Sequence, residues 1–174
     1  MTQQETAQYF ARIYENNFDK IFHYILKRTQ DLAITQDITS ETFYKAVRYL
    51  KEKSAKIEKM ENWLYTIATN EIKQHYRKNK RIFFFSPQDF GDIPSYETPA
   101  SELKKFEEEK EKKQELTHTL GKIKKLPRLD QDIIMLRFFE EKSTAEIAEI
   151  LDKKPSTIRV RIHRLKSTLK SLLT

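Results

Sequence analysis

Apolar residues recur along the first eighty positions with the spacing of helices. Phe10, Ile13, Tyr14, Phe18, Ile21, Phe22, Ile25 and Leu26 fall on one stripe of a 3.6-residue period. Ile34, Ile38, Phe43, Ala46, Val47 and Leu50 predict a second helix, and Leu64, Ile67, Ala68 and Ile72 a third within "NWLYTIATNEIKQHYRKNKR". After Arg81 the period is lost. The stretch "IFFFSPQDFGDIPSYETPAS" holds three of the five prolines and one of the two glycines, and reads as a linker. Its start, Ile82 to Phe85, is unusually apolar for a linker and is expected to pack against the first domain or a partner. "ELKKFEEEKEKKQELTHTL" resumes a helical pattern with a solvated charged surface, with low-complexity disorder as the rival reading of Glu107 to Lys113.

The C-terminal third is again helical. Leu126, Leu129, Ile133 and Leu136 form one stripe, and Ser143 followed three residues later by Glu146 is a capping-box signature for a helix start. The segment "PSTIRVRIHRLKSTLK" is ambiguous over its first turns. Ile158, Val160 and Ile162 alternate with Arg159, Arg161 and His163 as in a half-buried strand. The stripe Ile158, Ile162, Leu165, Leu169 and Leu172 nevertheless runs far past that alternation, so a helix is predicted, with Pro155 in its first turn. Its apolar side leaves Ser156, Arg159, Val160, His163, Ser167 and Lys170 facing roughly outward, with Thr157, Arg161, Arg164 and Lys166 on the flanks. A three-residue turn, Asp152 to Lys154, joins it to the capped helix. That arrangement is a helix-turn-helix, whose second helix enters the major groove. Arg159 can fork onto guanine, Val160 can touch a thymine methyl, and the flanking bases can reach phosphates. The competing reading is an amphipathic core helix with a solvated basic face.

Composition adjusts this picture. Of 174 residues, 33 are Lys or Arg and 26 Asp or Glu, a net charge of +7. Residues 1–83 carry 15 basic and 10 acidic groups, residues 84–115 carry 5 and 9, and residues 116–174 carry 13 and 7. Two basic segments thus flank an acidic one, an expectation of two domains and a linker with those bounds. Such a balance permits polyanion binding. There is no cysteine, so disulfides and thiolate metal sites are excluded. Four scattered histidines and no Gly-rich phosphate loop leave no basis for an enzyme or a cofactor. No apolar run approaches the ~20 residues of a membrane span, and the start of the chain lacks the pattern of an export signal. The expectation is a cytoplasmic protein with no membrane insertion.

Two blocks carry a family resemblance. "LPRLDQDIIMLRFFEEKSTAEIAEILDKKPSTIRVRIHRLKSTLKSLL" resembles the C-terminal DNA-binding domain of bacterial RNA polymerase sigma factors. "DITSETFYKAVRYL" and "NWLYTIATNEIKQHYRKNKR" resemble their other conserved domain. The order and spacing are similar to the small extracytoplasmic-function (ECF) sigma factors. The resemblance implies an all-α chain of two small helical domains joined by a linker, the second a helix-turn-helix domain. It implies core RNA polymerase as partner, through the β′ clamp, and promoter DNA as target; an anti-sigma factor is a further partner of such proteins, to which no residue here is assigned.

The same resemblance carries over to positions. Asp37, Ser40, Glu41 and Phe43 would meet the polymerase clamp, with Thr39 and Arg48 nearby. Asn70, Tyr76, Arg77, Lys78, Lys80 and Arg81 would capture the −10 strand beside the loop Lys51 to Met60, where a flipped base needs a pocket and the backbone needs cations. Ser156, Arg159, Val160 and His163 would lie near −35 bases, and Thr144, Thr157, Arg161, Arg164 and Lys166 near phosphates. By contrast, Trp63 and His75 read as structural. Asp152 and Lys153 stand where the family's turn usually has glycine and an apolar residue, and Asp152 would have to adopt a left-handed backbone. Two other functions fit parts of the chain: a free-standing helix-turn-helix regulator, and a sigma-like adaptor that binds polymerase without directing initiation.

Overall fold

The computed structural model describes residues 3–29, 31–53, 57–79 and 126–173. Every regular element among them is helical: α1 (Gln3–Thr29), α2 (Leu32–Lys53), α3 (Met60–Asn79), α4 (Arg128–Ile134), α5 (Thr144–Ile150) and α6 (Pro155–Leu173). A π-helical turn, Met135–Phe139, continues α4. The all-α expectation is met, and the stretch from Pro155 is a helix rather than a strand. The linker and the charge-rich helix expected between residues 82 and 120 lie outside the described residues.

The first three helices pack pairwise around one core. The predicted stripes supply it: Ile21 and Ile25 from α1, Ala46 and Leu50 from α2, and Leu64, Ala68 and Ile72 from α3 are all buried. Burying an aliphatic side chain of this kind stabilises by roughly 1.5–3 kcal/mol, so the stripe is the main reason these segments stay helical. Asp31 starts α2 by accepting a hydrogen bond from the Ile34 backbone N–H at 2.9 Å, satisfying one of the donors a helix start leaves open. Polar residues join the same core. Thr35, Thr39 and Thr42 are buried, and each hydroxyl donates to the carbonyl four residues back at 2.7 Å, which satisfies them locally; Thr35 also shares a hydrogen bond with the Thr29 hydroxyl of α1 at 2.6 Å. Tyr24 and Tyr65 meet edge to face at 5.0 Å, and Tyr24 shares a hydrogen bond with Thr69.

The last three helices form a second unit around Ile133, Met135, Leu136, Ile147 and Ile158, all fully buried. The two units touch, with α3 against α5, and several ion pairs and hydrogen bonds cross the seam. Arg28 of α1 reaches Asp132 of α4 at 2.6 Å, and both side chains are almost wholly buried, at 2% and 1% exposure. Lys73 of α3 approaches the other Asp132 oxygen at 3.4 Å. Glu140 accepts from Lys27 at 3.1 Å and from the Tyr65 hydroxyl at 2.7 Å. Lys142 donates to Glu61, which also holds Lys20 at 2.8 Å. Glu149 accepts from Lys59 at 3.0 Å and Asn62 at 3.3 Å.

The seam shifts its ionisable groups. Burial opposes the charge on Arg28, but the Asp132 carboxylate beside it wins and raises its pKa. Tyr24 is pushed up to about 12, chiefly by burial, with Arg28 pulling the other way. Tyr65 is raised by burial and by donating its hydroxyl proton to a hydrogen bond with Glu140.

Candidate nucleic-acid interface

The helix-turn-helix is held by two local devices. Ser143 Oγ accepts from the Glu146 backbone N–H at 3.2 Å, while the Glu146 carboxylate accepts from the Ser143 N–H at 2.8 Å. This is the reciprocal capping box expected from the sequence, and those bonds hold the Glu146 carboxyl below its ordinary range. At the other end of α5 the backbone closes with Lys153 N–H to Ala148 O at 2.9 Å and Asp152 N–H to Glu149 O at 3.3 Å. That pair of bonds is a Schellman ending, which requires a left-handed residue. Asp152 takes that role, with φ 52°. Together the cap and the ending fix the angle at which α6 leaves α5.

α6 is anchored by Ile158, Ile162 and Leu165, all buried. Its other side is open: Ser156, Thr157, Arg159, Val160, His163, Arg164 and Lys166 are exposed, Val160 by 50%. A half-exposed valine among forked and hydroxylic side chains suits a groove with thymine methyls. Arg161 differs from its neighbours. It is half-buried and its guanidinium is engaged by Asp130 of α4 at 2.7 Å, so it braces the domain before it can touch a phosphate. Thr144, half-buried, opens α5.

On α3, Asn70 is exposed and borders an open depression of about 360 Å³ shared with Lys73, Gln74 and Arg77. Lys73 and Gln74 were not among the expected contacts, although positions 70, 73, 74 and 77 follow one helical face and a projection of the helix would have grouped them. Arg77 and Lys78 are exposed. Lys80 and Arg81 lie outside the described residues. Tyr76 needs correction: it is 6% exposed and its hydroxyl donates to the Arg28 carbonyl at 3.5 Å. A side chain sunk between α1 and α3 offers no stacking face to a base. Trp63 is half-buried beside the Tyr49 ring, 5.1 Å away, in keeping with a packing role.

On α2, Asp37, Ser40 and Glu41 are exposed. With Lys45, Glu71 and Lys78, the two carboxylates Asp37 and Glu41 line a groove of about 400 Å³ between α2 and α3. Lys45 spans it, 2.6 Å from Glu71 and 3.5 Å from Glu41, and its pKa is raised first of all by the hydrogen bond to Glu71. Phe43 also needs correction. It is 4% exposed, packed edge-on against Tyr14 at 4.9 Å and beside Phe10 and Phe18. It supports α2 from within and does not stand on its surface; Thr39 is buried too, while Arg48 is exposed and paired with Glu52.

Comparison with known proteins joins these faces. The Sigma-70 region 2 model matches residues 13–82, and the Sigma-70 region 4 model matches residues 120–169. The chain is 29% identical over 164 residues to the RNA polymerase sigma factor YlaC of Bacillus subtilis, covering 93% of this chain and 90% of that one. It is 31% identical over 168 residues to the ECF RNA polymerase sigma factor SigW of the same organism, covering 94% and 88%. Its fold is similar to the sigma factor RpoE of Bartonella quintana, solved in complex with the anti-sigma factor NepR, with a TM-score of 0.62, 19% identity and coverage of 94% and 96%. With an exposed helix-turn-helix reader, a polar α3 face and both sigma regions in order, the chain belongs to the ECF RNA polymerase sigma factors.

Proposed function

We propose that this chain docks on core RNA polymerase through α2, captures the −10 strand on α3 and holds the −35 duplex with α6. Catalysis belongs to the polymerase, and the site of action is the cytoplasm. The observation that carries the reading is the division of exposure on α6. Its apolar stripe is buried, while Ser156, Arg159, Val160 and His163 stand open for base edges. Thr157, Arg164 and Lys166 flank them as phosphate contacts, with Thr144 at the neighbouring helix start. On α3, Asn70 supplies the polar group for an extruded base, and Arg77, Lys78, Lys80 and Arg81 supply cations for its strand. On α2, Asp37, Ser40 and Glu41 form the polymerase contact.

The test is co-elution of the purified chain with sigma-free bacterial core polymerase. An Asp37→Lys, Glu41→Lys variant reverses two exposed charges without touching the core. Wild type is expected to co-elute and the variant to be lost from the complex. Failure of a folded wild-type chain to bind core would sink the sigma reading and favour a free-standing regulator.

A further inference from the structure

The outward side of α2 carries more than the polar groups assigned to docking. Asp37, Glu41, Tyr44, Arg48 and Lys51 follow one another at spacings of four, three, four and three, so they share one face, and all five are exposed. Tyr44 stands in the middle of that row. At 57% exposure it is the most exposed aromatic side chain among the described residues. Tyr14 and Tyr49 are exposed in part as well, but each leans on another ring, Phe18 at 4.9 Å and Trp63 at 5.1 Å. Tyr44 has no such support and makes no side-chain hydrogen bond with any described residue. The residues on the other side of the helix, Thr42, Phe43, Ala46 and Leu50, are buried. A firmly seated helix therefore holds this ring out from its surface. The charge of the face also reverses at the ring, from Asp37 and Glu41 before it to Arg48 and Lys51 after it.

We infer that Tyr44 is the anchor of the polymerase contact, its ring entering an apolar cleft on the core enzyme between a basic patch that meets Asp37 and Glu41 and an acidic group that meets Arg48. This deepens the docking proposed above and rests on it. Exposed charges at an interface set rate and register more than affinity. The affinity of a contact comes mostly from a few desolvated anchors, among which tyrosine is over-represented. With Phe43 turned into the core, Tyr44 is the large side chain this face has to offer. Its ring needs only two torsions fixed on docking, so little entropy is lost for the area covered. Arg48 is free to turn to a partner, because its pair with Glu52 at 3.2 Å is exposed on both sides and such pairs contribute little. The reversal of charge on either side of the ring then admits the partner in one direction and repels it in the other.

The test uses the full chain, labelled with a fluorophore at its N-terminus and titrated with sigma-free bacterial core polymerase, with anisotropy as the readout. Tyr44→Ala is expected to weaken the complex at least about 30-fold, the loss of a hot-spot side chain. Tyr44→Phe keeps the ring and should stay within about threefold of wild type. Thermal melting of the free variants should match wild type, because the ring packs on nothing in the free chain. Tyr49→Ala is the control: its ring lies off this face, on Trp63, so it should lower the melting temperature and leave core affinity as it was. Wild-type affinity in Tyr44→Ala overturns the inference, and so does a loss of affinity that comes with a lowered melting temperature. A Tyr44→Phe variant as weak as Tyr44→Ala would replace the apolar cleft by a hydrogen bond and overturn it too. If wild type binds core and Asp37→Lys, Glu41→Lys does not, while Tyr44→Ala binds normally, the sigma reading stands and the anchor falls. If folded wild type fails to bind core, both fall together.

Discussion

Arg159 and Arg161 lie two residues apart on α6 and should respond differently to truncation. Arg159 is exposed and makes no ion pair with any described residue, so Arg159→Ala should change stability by less than about 0.5 kcal/mol. Its guanidinium fork is free for two parallel bonds to guanine, and losing a bidentate base contact costs about 1–3 kcal/mol. That is about 5- to 150-fold in affinity, confined to one base position. Arg161 is committed to Asp130 at 2.7 Å, with the pair 36% and 14% exposed. A partly exposed pair of this sort is worth up to about 1 kcal/mol. Arg161→Ala should therefore cost stability of that order, and weaken DNA less than Arg164→Ala or Lys166→Ala. The assay is anisotropy on duplexes selected from a randomised pool, with each base of the preferred site varied in turn and the salt concentration stepped. Lys166→Ala should lower the salt slope by about 1 and affect all sequences alike. Arg159→Ala should leave the slope and flatten one position of the preference. Uniform weakening across every duplex, with a reduced slope, would make Arg159 a phosphate contact and refute its base-reading role.

Asp152 pays for its left-handed backbone, which costs roughly 1–2 kcal/mol for a side-chain-bearing residue, and its charge opposes the C-terminal end of the α5 dipole. Asp152→Gly loses about 0.4–1 kcal/mol to unfolded-chain entropy, so a net gain of about 0.5–1 kcal/mol is expected, read as a higher urea midpoint at unchanged slope; Asp152→Asn should recover only the charge part, and a glycine no better than asparagine would contradict backbone strain. Phe43→Ala should cost about 3–5 kcal/mol through lost core packing, visible in thermal melting without polymerase present, and a stable variant that merely fails to bind core would restore Phe43 to the docking surface. Glu61 gives a pH dependence. Burial raises its pKa, but hydrogen bonds from Lys142 and Lys20 win and hold it below its ordinary 4.5. Its stabilising share is complete above that ordinary value and is lost as pH falls through the lower folded one. Urea midpoints between about pH 6 and pH 3 should therefore fall less steeply for Glu61→Gln than for wild type, and parallel curves would show that the pairing with Lys142 contributes nothing.

The parts of the molecule that follow from local period were readable from the chain. The stripe through Ile158, Ile162 and Leu165 outlasted the strand-like alternation because core packing rewards the whole face of a helix. The Ser143–Glu146 box was visible because both partners lie within one turn. Periodicity had also placed Phe43 with Ala46 and Leu50, on the inward side; only the family resemblance had brought it to the surface. Tyr76 was drawn outward in the same way, as an aromatic ring within a basic run. What could not be read depends on distant partners. Arg28 and Asp132 lie over a hundred residues apart, and nothing near either one announces the other. The buried threonines of α2 look like a polar face until each hydroxyl is seen to bond the carbonyl four residues back. Of the α3 depression, Asn70 and Arg77 were named from the chain, whereas Lys73 and Gln74 were passed over although they share the same helical face.

The π turn between Met135 and Phe139 carries a consequence for how this chain can change by insertion and deletion. Its wide loop holds one residue more than an α turn and delivers Glu140, whose N–H returns to Met135 O, to Lys27 and Tyr65. Losing one residue there would close the turn as an α turn and leave the chain beyond it on nearly the same bearing, with the apolar stripes before and after unaltered. Losing one from the α turns of α4 instead would swing everything beyond it by about 100°, so that Glu140 would miss its partners and α5 and α6 would leave α4 on a new bearing. The wide turn is therefore the place where this helix can change length by one residue with the orientation of α6 kept.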